Sequence, residues 1–301
     1  MHMLPQPSLK GNGINPALKP RPRDTCTCHD HPPPNVHTSG HANTSDRTAA
    51  RGIYIMKVKE ALKKIGPAPA AGRIQSIDAL RGLAVILMVI HHFLFDLVEF
   101  LDAPSWLFSN PVFNILHYIF AGVFIGLSGL SSRFSRSNIK RGIKVAVVAL
   151  VITLVTWLMG MEILFGVLHL LAFCMIFYGL TRKFWDKIPE KIAPFIYIAL
   201  TAASAVVLRL LNPVTIKWLW PIGLYYKGFY SADYFPIFPW LFVFLFGSWL
   251  GKLVKEHRLP EKVYTIDPPF FPAVGRLSLI IYVLHQPVLY GITMLIKVII
   301  G

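Results

Sequence analysis

The sequence predicts an all-α, polytopic transmembrane bundle of about seven helices with its N-terminus in the cytoplasm. Three observations carry that reading. Of 301 residues, 54% are hydrophobic and only 15% are charged, whereas about a quarter are charged in a water-soluble globule. From residue 77 onward, apolar runs alternate with short polar breaks, and the runs have the roughly 20-residue length that crosses a bilayer. Basic residues gather at every second break. A soluble enzyme and a fibrous protein are excluded by this composition, and three cysteines, Cys26, Cys28 and Cys174, are too few for a disulfide scaffold.

Residues 1–72 are a different kind of sequence, rich in Pro, Asn, Thr, Ser and His and without apolar periodicity. A disordered tail is expected there. Cys26, Cys28, His29, His31 and His37 are close together, but C-x-C followed by irregular histidines matches no zinc-finger spacing, so no metal is assigned. No apolar core precedes a small-residue cleavage site, so a secretory signal is not expected. Met56, which precedes the basic stretch KVKEALKKIG, is an alternative start, and no function is placed upstream of it.

The seven expected spans are 77–100, 112–131, 141–160, 163–181, 193–211, 236–254 and 275–299. With no water to satisfy the backbone, apolar runs of this length must be helical. Lys57, Lys59, Lys63, Lys64 and Arg73 precede the first, and Arg133, Arg136, Lys140 and Arg141 follow the second. Arg182, Lys183, Lys187 and Lys191 follow the fourth, and Lys252, Lys255, Arg258 and Lys262 follow the sixth. The alternate loops hold Glu99 and Asp102, then Glu162, then a stretch with only Lys217 and Lys227. Basic loops stay in the cytoplasm. Seven spans satisfy this alternation, and six or eight would break it. The formal charge of +15 therefore reports orientation in a lipid bilayer, and no nucleic-acid partner is inferred.

Ionisable residues inside spans are costly unless they face a partner or a wet cavity, which makes them the functional candidates. The first span is the richest. Arg81 and His92 are eleven positions apart, so they lie about 20° apart around the axis and about 16 Å apart along it. Asp78 and Asp96 fall on the same arc. Arg81 and His92 are expected to open onto one shared hollow. Asp96, four residues after His92, is within reach to orient its ring. His117 and His169 enter the second and fourth spans from the outside, at a depth similar to that of His92. His285 falls near mid-membrane in the last span, beside Gln286 and Pro287, where binding and helix packing are both open readings. His91, about 100° from His92, is read as packing.

The strings SIDALRGLAVILMVIHHFLFDL, GLSGLSSRFSRSNIKRG, DYFPIFPWLFVFLFG and GRLSLIIYVLHQPV resemble the prokaryotic heparan-α-glucosaminide N-acetyltransferase catalytic-domain family over residues 73–300. The pattern of Arg81, ten residues, then His92 is similar to that of the wider membrane acyltransferases. The resemblance implies transfer of an acyl group from cytosolic acetyl-CoA, or another acyl-CoA acting as co-substrate, to an acceptor on the far side of the cell membrane. Arg81, Arg133, Arg136 and Arg276 are then candidates to hold CoA phosphates. His92, with Asp96, is the candidate base or acylated nucleophile. The loop Glu99 to Pro111 contains no histidine, so His117 stands as an alternative base.

The stretch between the fifth and sixth spans contains WLWPIGLYYKGFYSADYFPIFPW. Such density of Trp and Tyr marks an interfacial belt and also suits a sugar or glycolipid. Trp218 and Asp233, with His285, are the candidate acceptor-binding residues. A rival reading is a transporter or permease using an intramembrane His/Asp/Arg relay. No internal repeat is visible, and an odd number of spans does not divide into matched halves. A regulatory or scaffolding membrane protein, and a homo-oligomer, also remain open.

Overall fold

The computed structural model describes residues 73–300, apart from 159, 161, 232 and 267, together with residues 53, 56 and 57. The expectations for the N-terminal tail, including the cluster from Cys26 to His37, lie outside the described residues. The described chain has seven helices long and apolar enough to cross a membrane. They are α1 (Gln75–Phe100), α2 (Pro111–Ser132), α3 (Asn138–Leu158), α4 (Val167–Trp185), α5 (Ala193–Leu211), α6 (Ile237–Lys255) and α7 (Ser278–Ile300). The protein is a multi-pass membrane protein.

Local chemistry sets the helix ends. Asn110 caps α2, its side chain accepting from the Val112 N–H at 2.8 Å, and Pro111 follows at the first position, where its missing N–H is no loss. Helix α4 starts four residues later than the spacing predicts. Phe165 is held extended, its carbonyl accepting from the Phe235 N–H at 2.8 Å, so residues 163–166 pair with the loop before α6 and the helix opens only after Gly166.

Helices α2, α4 and α6 form the centre. Tyr178, Phe244, Ile125, Leu170 and Leu245 are fully buried there. Helix α3 packs on α4, α5 on α6, and α1 lies between α2 and α7. With no hydrophobic driving force between helices in lipid, close approach rests on small residues. A side-chain carbon on Gly247 would collide with the backbone of Gly126, and one on Gly129 with the Phe244 carbonyl. The same device joins α1 to the short helix Phe271–Arg276 that leads into α7. There Gly82 lies against Phe271 and Gly275, and Gly275 against the Asp78 carbonyl.

One end of the bundle gathers the basic residues and is called the basic face. Arg133 donates from Nε to the Ser248 carbonyl at 3.0 Å and pairs with Asp186 at 2.6 Å, tying α2 to α6 and to the end of α4. Glu190 pairs with Lys252 at 2.9 Å and with Arg258. The hydrogen bond from Lys252, with that from Arg258, holds the Glu190 carboxyl below its ordinary range. At the opposite, far face, Asn212 braces the long loop before α6. Its amide donates to the Gly223 carbonyl and accepts from the Tyr225 N–H, both at 2.8 Å.

Candidate active site

Helices α1 and α7 both start at the basic face and run in the same direction. From the contact of Gly82 with Gly275, ten residues of chain lead to His92 along α1, a rise of about 15 Å, and ten lead to His285 through the end of the short helix and into α7. Equal offsets bring the two imidazoles to one level, with ring centroids 5.0 Å apart. Helix α2 runs the other way and delivers His117 from the far face. Its ring stacks on His91 at 4.2 Å. The depth expected for His117 from its place in the sequence is the depth at which it is found.

A cavity of about 40 Å³ opens beside these rings, room for about three waters. His91, His92, His117, Tyr282 and Asp233 are its polar lining, and Val85, Met88, Phe120, Phe124 and Phe235 are among its apolar walls. Asp233 comes from the far-face loop, which folds back onto the start of α4. Its Oδ2 accepts from the Val167 N–H at 3.1 Å and from the Tyr282 hydroxyl at 3.3 Å. A carboxylate at a helix N-terminus is favoured by the exposed N–H groups, so the loop is anchored where the cavity needs a wall.

Removal from water pushes the Asp233 carboxyl up to about 6, against the opposing pull of those two hydrogen bonds. The folded protein therefore binds this proton more tightly than the unfolded chain, whose value is near 3.8. The contribution of Asp233 to stability falls as pH rises from about 4 through about 6 and is level above that. Asp233→Asn is expected to remove this component. The difference between wild-type and variant unfolding midpoints in detergent micelles should shift across that window, and a constant difference would refute it. Glu190, shifted the other way, changes stability below about pH 4.5, at the acid edge of the window, and does so equally in wild type and variant, so it cancels in the difference.

Of the residues singled out in the sequence, His92, His117 and Asp233 share the cavity. Arg81 does not line it. Its guanidinium is drawn to Asp78 at 3.1 Å and to the Ser131 hydroxyl, and Arg73 holds the same Asp78 at 2.5 Å. The expectation of one hollow shared by Arg81 and His92 is therefore corrected. Asp96 is buried on α1, but Gln286 of α7 donates to its Oδ1 at 3.0 Å and its Oδ2 has no hydrogen-bond partner among the described residues. The carboxylate turns toward α7, and the expected bond to the His92 ring is not formed. His285 stands behind His92 and lies outside the cavity lining.

Elsewhere, Arg133 is buried and committed to Ser248, Asp186 and the face of Tyr178, so it ties helices together and does not stand free to meet a phosphate. Arg136 is exposed. Arg276 has a buried Nε with no hydrogen-bond partner, and no ion pair, among the described residues. Trp218 is 84% exposed and stays outside the cavity. His169 is 3.1 Å from the Thr153 hydroxyl and tilts against Phe165, away from the cavity. His91, expected from the sequence to serve as packing, and Tyr282, not singled out there, are both cavity walls. The available signals were a ring adjacent to His92 on α1 and a tyrosine one helical turn before His285.

An apolar seven-helix bundle with an imidazole-lined cavity between its helices defines an integral membrane protein with a buried polar site. The model of the family heparan-alpha-glucosaminide N-acetyltransferase, catalytic, matches residues 73–287. The chain belongs to that family. No curated protein and no solved structure matches it.

Proposed function

We propose that the protein is an integral acyltransferase of the cell membrane that moves an acetyl or other acyl group from cytosolic acyl-CoA to a sugar or glycolipid on the other side. The observation that carries this reading is the cavity where His92, His117, Tyr282 and Asp233 meet between α1, α2, α4 and α7, in a chain of this family. The positive-inside rule puts the basic face in the cytoplasm and the far-face loop outside. Acyl-CoA then docks at the basic face. Arg81, with Arg73, surrounds a single Asp78, and Arg276 and exposed Arg136 add positive charge.

At the cavity, His92 takes a proton from the acceptor amine or hydroxyl as that group attacks the thioester carbonyl. The C–S bond breaks, the acyl group stays on the acceptor, and His92 returns the proton to the departing thiolate. Three waters' worth of space is too little for the thioester arm, so the helices part when acyl-CoA binds.

The test is incubation of the purified protein with radiolabelled acetyl-CoA and a panel of amino sugars, glycans and glycolipids, following free thiol and labelled acceptor. Acceptor-dependent thiol release is expected. No thiol release with any acceptor, together with solute uptake by proteoliposomes, would establish the permease reading instead. Charge-assisted hydrogen bonds to phosphate are strong, so Arg276→Ala should raise the KM for acetyl-CoA about tenfold with kcat little changed. An unchanged KM would take Arg276 out of the donor site.

A further inference from the structure

We propose that His285 is the positioning residue of His92: its Nε2 accepts a hydrogen bond from the His92 ring and so fixes which His92 nitrogen presents a lone pair to the cavity. The inference rests on the reading of His92 as base, and it begins from the His285 ring itself. Its Nδ1 lies 2.7 Å from the Tyr282 carbonyl. A carbonyl oxygen only accepts, so Nδ1 carries the hydrogen, and the lone pair of the neutral ring is on Nε2. That Nε2 is buried and has no hydrogen-bond partner among the described residues. A buried acceptor left unmatched is an unusual feature that asks for a partner.

The bond is not formed in this structure, but His92 is near enough to become that partner by turning its ring. An imidazole nitrogen lies about 1 Å from its ring centre, so two rings joined by a hydrogen bond of about 3 Å stand about 5 Å apart. The observed centroid separation of His92 and His285 is 5.0 Å. The other neighbours fit less well. His91 is 5.8 Å from His92 at 89°, and as the adjacent residue on one helix its ring diverges by about 100°. Asp96, the sequence's candidate for this role, is occupied with Gln286. Because His285 lies outside the cavity lining, it acts through His92 and does not touch the substrate.

The pairing gives the proton transfer a defined course. Before reaction, one His92 nitrogen donates to His285 and the other holds its lone pair toward the cavity. When His92 takes the acceptor's proton, the ring carries two N–H groups, one facing the new product and the other held by His285. The first proton passes to the thiolate as the C–S bond breaks, and both rings return to their starting state. This is the task of the third member of a catalytic triad, performed here by a neutral imidazole.

The test combines nitrogen-15 NMR of the histidine rings with kinetics. In wild-type protein, the His285 proton should reside on Nδ1, and one His92 nitrogen should be in the hydrogen-bonded N–H form. His285→Ala should abolish that His92 signature and lower kcat by about a hundredfold, leaving the KM for acyl-CoA within about twofold. His285→Gln, which keeps an acceptor at the Nε2 position, should recover most of the rate. A His285 proton found on Nε2 in wild-type protein overturns the proposal without any variant. So does an unaltered His92 pattern, or an unaltered kcat, in His285→Ala. Wild-type protein that shows the paired rings but transfers no acyl group would uphold the pairing and defeat the catalytic reading of His92.

Discussion

Replacing His92 by Ala is expected to lower the rate of acyl transfer by about 10²- to 10⁴-fold, the range that a positioned general base contributes. The imidazole is the cavity residue that faces both the space where reactants would meet and the second helix of the pair. His117 shares the same space from the other side, so His117→Ala measures the competing assignment. If His92→Ala keeps the wild-type rate and His117→Ala loses it, the base is His117. His169→Ala is the control. Its ring is held by Thr153 outside the cavity, and the rate should not change. Initial rates of thiol release at saturating acyl-CoA, with unfolding midpoints recorded for each variant, distinguish loss of chemistry from loss of fold.

The largest effect on stability is expected at the contact of α2 and α6. In Gly247→Val the added side chain meets the carbonyl, carbon and Cα of Gly126, all backbone atoms that no rotamer change can move aside. Overpacking of this kind costs about 2 to 3 kcal/mol, and here it separates the two helices whose packing builds the centre. The variant should show a lower unfolding midpoint and a smaller monodisperse fraction in detergent. Gly291→Val is the matched control. Nothing lies within 4 Å of the position its side chain would take, and it should behave as wild type. Equal midpoints for the two variants would refute the contact.

The sequence showed the spans because lipid leaves the backbone one solution, and runs of apolar residues reveal where it applies. The helix α4 boundary was missed by four residues because a loop 70 positions away, through Phe235, holds Phe165 extended, a tertiary effect with no local mark. The level of His117 against His91 was legible, since rise per residue is fixed once the direction of each helix is known. The partners of Asp96 and Arg81 were not. Helical spacing says which residues can share a face, but here Gln286 on α7 and Ser131 on α2 take those side chains, and neither is nearby in sequence. The tight helix pairs did leave a signature, G-x-x-x-G at Gly122 and Gly126 and again at Gly247 and Gly251.

The backbone contact of Gly82 with Gly275 also decides how the site can widen. Two rods riveted at the basic face cannot slide past each other there, so any splaying of α1 from α7 hinges at that rivet and grows toward the far face. Under the proposed function, an acyl donor entering at the basic face thus meets a narrow throat, whereas a sugar arriving at the far face finds the jaws free to spread.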